Sequence, residues 1–173
     1  GSVEALLRSE PVEPGQCIYL PSGTVHALGG GVLVAEVQTA SDTTFRIFDW
    51  GRTGRELHIH EALACIDFTV TAPETVDFKE VAAGDGDWAM RPLVSCEHFQ
   101  MHEWTALGTV PHTFVSGELS VLMVASGSGI ITWGEAERRT LMVETGDTVV
   151  LPAGLASAEV HAKLDLTLLE IAP

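Results

Sequence analysis

A twelve-residue frame occurs twice in this chain and narrows the folds open to the rest of it. The first copy runs from Gly15 through Pro21, Ser22 and Gly23 to His26, and the second from Gly146 through Pro152, Ala153 and Gly154 to Ser157. Both read Gly, five residues, Pro-x-Gly, two residues, then one residue that the corner aims. Proline fixes φ on entry to the corner and glycine permits the sharp bend, so the frame encodes a turn, a short strand and a tight corner. Recurrence of such a frame implies two similar units in one chain. The copies differ in their last residue, an imidazole in the first and a hydroxyl in the second. Metal ions of the zinc type take imidazole, carboxylate or thiolate, so only the first copy has a ligand in that place.

Between the two frames, short apolar or alternating runs are cut by Gly, Pro, Asp and Ser. They predict strands over 17–20, 31–38, 43–48, 118–125, 130–133, 148–151 and 163–171. Turn signals every 8–12 residues or so belong to all-β sandwiches and barrels. Only residues 60–68 have helical composition, so one or two short helices are expected. Residues 71–90 are polar and carry Pro and Gly, which predicts a connector between a first unit at 1–70 and a second at 91–173. Hydrophobic residues make up 46% of the chain and charged ones 19%, a balance that can form a packed core and excludes a disordered chain. No apolar run is long enough to span a bilayer, and no basic-then-apolar leader opens the chain.

Nine basic residues face 24 acidic ones, and a net charge of −15 repels nucleic acid and anionic membranes. Neither is therefore expected as a partner. An anionic small molecule needs basic groups gathered locally, and Arg46, Arg52 and Arg55 place three of the nine within ten residues. Clustering alone favours a solvated turn with ordinary surface arginines. Cys17, Cys65 and Cys96 are odd in number and far apart, so they suit small buried hydrophobes in a reducing, cytoplasmic compartment.

The run GQCIYLPSGTVHALGGGVLVAEVQTASDTTFRIFDWGR, from Gly15 to Arg52, carries more than the frame. A Pro-x-Gly-x-x-His-Ala corner leads through a Gly-rich turn to Glu-x-Gln, then to Ser-Asp-x-Thr-x-Arg-x-x-Asp, with Arg55-Glu56-Leu57-His58 beyond. The frame resembles the second conserved motif of the cupin superfamily, whose fold is a small jelly roll. The longer run resembles class I phosphomannose isomerases, and above all their short bacterial form. That resemblance covers nearly the whole chain, strongly over 15–66 and by architecture afterwards. It implies two cupin-like jelly-roll units, the second without metal, forming the C-terminal part of a zinc-dependent aldose–ketose isomerase. The implied reaction interconverts mannose 6-phosphate and fructose 6-phosphate.

Residue by residue, the resemblance makes His26 a zinc ligand and Arg46 a catalytic or phosphate-facing arginine. It places Glu36 and Asp42 among the acidic residues of the sugar site, and Arg52 beside Arg46 in substrate binding. The chemistry asks for the same kinds of group. Moving a proton between neighbouring carbons through an enediol-like anion needs an acid/base, an oxyanion stabiliser and a phosphate anchor. Antiparallel strands joined at 39–42 would bring Glu36 and Arg46 to one face. A purely structural Glu36–Arg46 ion pair is the alternative. Ser41, Asp42 and Thr43 also suit a turn, and His58 and His60 follow the wrong strand for a cupin metal pair.

The other family ligands, a Gln-x-His pair and a Glu, precede the corner in the family. Here the fourteen residues before Gly15 contain no His. One imidazole does not hold zinc, so this chain alone is expected to be inactive, with dimerisation or strand exchange covering its open edge. A non-catalytic cupin module that binds a sugar phosphate or mediates assembly is the second reading.

Overall fold

A computed structural model describes residues 3–69, 74–75, 86–115 and 117–173, and the chain divides into two compact units between residues 76 and 77. Most of the expected connector, 71–73 and 76–85, lies outside the described residues. Regular structure is almost entirely antiparallel β, with a single α-helix among the described residues.

The second unit is a seven-stranded antiparallel sheet. Its strands are β3 (Trp88–Ser95), β4 (Gln100–Ala106), β5 (His112–Val115), β6 (Ser120–Trp133), β7 (Arg139–Glu144), β8 (Thr148–Leu151) and β9 (Ser157–Ala172). The main path is β3-β4-β9-β6-β7, with β5 also on β9 and β8 also on β6. The long strands β6 and β9 serve both halves of the fold because they bend together. Register slips three times between Val124 and Gly129, opposite Leu164 and Asp165. Gly127 sits in that bend at φ 80°, where a Cβ would meet the Leu164 carbonyl oxygen at 2.1 Å. Only glycine fits both requirements.

An odd slip exchanges the faces of a strand. Leu122 and Val124 are buried before the bend in β6, whereas Ile131 is buried after it. Ala158, Val160, Leu166 and Leu168 of β9 complete a core with them and with Trp88, Phe114, Val143 and Leu151. Trp88 starts β3 three residues ahead of the expected boundary, because its ring is buried and its indole N–H donates to the Val110 carbonyl at 2.8 Å. The expected strands at 118–125 and 130–133 merge into one, since the Gly-rich bend carries the ladder through.

Among the described residues the first unit pairs β1 (Ile18–Tyr19) with β2 (Glu74–Thr75) and adds α1 (Ile59–Cys65), which begins one residue before the expected helical stretch and ends three before its end. The strands expected at 31–38 and 43–48 do not form. Alternation alone does not make a strand; backbone groups need a continuous lateral partner, and among the described residues no strand pairs with these segments, a single backbone bond from His58 N–H to the Arg46 carbonyl apart. Their apolar side chains are correspondingly exposed: Leu33 is fully so, and Val32, Val34 and Phe45 are exposed as well. Cys65 is exposed at the helix end rather than buried, while Cys17 and Cys96 are half-buried. No helix among the described residues is long and apolar enough to cross a membrane.

Candidate functional site

The two Pro-x-Gly corners close with the same backbone bond, although Gly23 takes a positive φ and Gly154 does not. Thr24 N–H donates to the Pro21 carbonyl at 3.1 Å, and Leu155 N–H donates to the Pro152 carbonyl at 2.8 Å. Gly15 and Gly146 open the frames at φ 83° and 96°. In the first copy, Gly23 (φ 87°) presses against the end of α1. Asp67 N–H donates to its carbonyl at 3.1 Å, and an added Cβ would stand 2.9 Å from Asp67 N and from the Cys65 carbonyl oxygen. Asp67 itself accepts from Thr69 through both the backbone N–H (2.8 Å) and the hydroxyl (2.6 Å). Those bonds, the hydroxyl's first, hold its carboxyl below the usual value.

The corner delivers His26 to solvent with Nδ1 2.9 Å from the Thr24 carbonyl, an arrangement that turns Nε2 outward. A metal-ligating histidine is commonly oriented by such a bond to a carbonyl. Yet no three His, Cys, Asp or Glu residues gather as a metal site among the described residues. The residues present here thus do not make up a zinc site by themselves. In the second copy, Ser157 opens β9 opposite Val115 and is a strand residue.

Arg46 is half-buried, and its backbone is held by His58 through one backbone bond and one bond to the imidazole. His58 N–H donates to the Arg46 carbonyl at 2.8 Å, and Arg46 N–H donates to His58 Nδ1 at 3.3 Å. Its Nη1 leans on the Glu56 carbonyl at 3.4 Å, and the His58 ring lies 6.1 Å from that of Phe45. His58 is therefore not a bystander: it stands at the N-terminal boundary of α1, where its ring makes no capping bond and accepts from Arg46 N–H instead.

Three residues further on, Asp49 is 8% exposed, and its Oδ1 accepts from Arg55 Nη2 at 2.7 Å with Arg52 Nε 3.7 Å away. Its Oδ2 is buried with no hydrogen-bond partner among the described residues. The three arginines expected from the sequence are thus organised rather than scattered. Arg46 stands on the His58 side, while Arg52 and Arg55 share one carboxylate. Glu36 and Asp42 are exposed, and no ion pair or hydrogen bond among the described residues joins either to Arg46 or His26. The expected Glu36–Arg46 pairing does not form, because the hairpin that would have made it is absent. Ser41 does act as a turn former, its hydroxyl accepting from Thr43 N–H at 3.2 Å. Sequence reasoning missed Asp49, although it stands in the Arg-x-x-Asp end of the same motif, and it missed the service of His58 to Arg46.

The repeated corner and the antiparallel sheet define a cupin-type β-protein. The crystal structure of the mannose 6-phosphate isomerase from Bacillus subtilis superposes with a TM-score of 0.61 at 22% identity, over 76% of this chain and 40% of that one. Within that class, the chain is a homologue of proteins named mannose-6-phosphate isomerase. ManA of Bacillus subtilis is 32% identical over 161 residues, 90% of this chain and 49% of that protein. The Streptococcus mutans protein of that name is 30% identical over 96% of this chain and 52% of its own length. GmuF of Bacillus subtilis, named a probable mannose-6-phosphate isomerase, is 36% identical over 76% of this chain. The chain spans about half the length of the curated relatives it matches. No family model matches it.

Proposed function

We propose that these 173 residues form the C-terminal part of a mannose-6-phosphate isomerase that interconverts mannose 6-phosphate and fructose 6-phosphate. Similarity to isomerases of that name across 90% of the chain, taking in the stretch from His26 to Arg55, is the observation that carries this reading. Arg46 is the group with the most supporting geometry. A guanidinium is permanently charged and planar, and the bonds to His58 hold its backbone, which suits it to an oxyanion that develops during the reaction. Glu36 and Asp42 are the carboxylates proposed to carry the proton between the two sugar carbons; both are exposed and free to close on a substrate. Arg52 is proposed to meet the phosphate.

Zinc belongs to the proposal as the group that His26 ligates together with residues outside these 173. On that account the isolated chain is inactive and low in zinc. A cytoplasmic setting, a homodimer and the absence of nucleic-acid or membrane partners complete the reading, and the strong negative charge supports the last of these. The alternative, a sugar-phosphate-binding or assembly module without catalysis, draws on the exposed apolar side chains of the first unit. A coupled assay with mannose 6-phosphate on the longer polypeptide that contains this chain, before and after chelation and zinc return, tests the isomerase reading. Activity that is lost on chelation and restored by zinc supports it, and activity indifferent to chelation removes zinc from it.

A further inference from the structure

We propose that Asp49 is the positioning residue of a phosphate-binding loop, residues 49–55, in which Arg52 and Arg55 supply the donors. This inference rests on the sugar-phosphate reading for its ligand but not for its geometry. A carboxylate removed from water needs a cationic or hydrogen-bonding partner, and Asp49 has its partners on one oxygen only. Arg55 gives it one N–H at 2.7 Å and keeps its other donors on a side chain 42% exposed. Arg52 lies 3.7 Å from the same oxygen on a side chain 62% exposed.

Two guanidinium groups against one buried carboxylate leave a local excess of one positive charge in a chain of net charge −15. The loop between them is sharply folded, with Trp50, Gly51 and Gly54 at φ 47°, 73° and 88° and Arg52 N–H on the Asp49 carbonyl at 2.9 Å. It brings two side chains three residues apart onto one carboxylate. The outward N–H donors suit a tetrahedral dianion, which guanidinium forks bind with two parallel bonds. The ligand class is a phosphate monoester, and Asp49 acts on it through the arginines it holds.

Inorganic phosphate titrated into the isotopically labelled chain, with the arginine Nε–H signals followed by NMR, is the test. Saturable shifts of Arg52 and Arg55 are expected, and their absence at tens of millimolar phosphate overturns the proposal. Asp49→Asn keeps the shape of the side chain and removes its charge, and it is expected to raise the phosphate Kd about tenfold. An unchanged or lower Kd in that variant overturns the positioning role, since a residue with a merely structural part would alter Tm and leave Kd alone. Should Asp49→Asn fail to fold, Arg55→Lys gives the same reading: it keeps the charge, loses the fork and is expected to weaken phosphate about tenfold. A parallel titration with mannose 6-phosphate separates this inference from the function it rests on. Equal affinity for the two ligands upholds the loop and counts against the sugar; tighter mannose 6-phosphate binding that leaves both arginine signals unmoved upholds the sugar and overturns the loop.

Discussion

Arg46 shows how far single residues were legible. Its type and place in Ser-Asp-x-Thr-x-Arg mark it in the sequence, but what holds its backbone, the bonding to His58 twelve residues on, depends on how 46–58 folds. The same holds for Asp49, whose burial beneath Arg55 no local pattern announces. In an active isomerase that contains this chain, Arg46→Lys is expected to lower kcat about 10²–10³-fold, since an ammonium cannot reproduce the planar fork. Steady-state kinetics checks this, and a change within about twofold would assign Arg46 a structural part only. Asp67 offers a pH-dependent test. Its folded pKa lies below the ordinary carboxylate value because Thr69 donates to the charged form. The stabilisation it gives is present at neutral pH and disappears as pH falls through that lowered value. Thr69→Val removes the hydroxyl bond and keeps the backbone one, so the Asp67 titration followed by NMR should move upward toward the ordinary value.

Elements were legible where the chain supplies their partners. The frame residues, β8, the end of β9 and the helix at Ile59–Cys65 match expected segments to within a few residues because local turn chemistry and composition decide them. The long strands β6 and β9 were read in pieces, since the bend at Gly127 hides their continuity from a periodicity argument. Residues 31–38 and 43–48 have strand-like alternation but no strand pairs with them among the described residues, and alternation is satisfied only within a sheet. The two corners now make unequal demands. Gly23→Ala would put a Cβ 2.9 Å from backbone atoms at a left-handed φ, and is expected to destabilise the first unit by about 1–3 kcal/mol. Gly154→Ala meets nothing within 4 Å and is expected to be near neutral. Hydrogen exchange of the two variants, read unit by unit, distinguishes them.

At the scale of the molecule the second unit holds the extensive core, with Leu122, Val160, Leu166 and Leu168 fully buried, while the first exposes apolar side chains along the stretch that carries the site. A chain spanning about half of its curated relatives, with one histidine at the ligand position and no metal cluster among the described residues, fits a part that works within a longer isomerase. We propose that residues 1–173 serve mannose 6-phosphate isomerisation only when joined to upstream sequence that supplies the remaining ligands. One coupled assay of mannose 6-phosphate to fructose 6-phosphate conversion, run with zinc on the isolated chain and on the longer polypeptide, tests it most directly. The account predicts no turnover above background from the isolated chain and zinc-dependent turnover from the longer one. Turnover by residues 1–173 alone, or none by the longer polypeptide with zinc present, would contradict it.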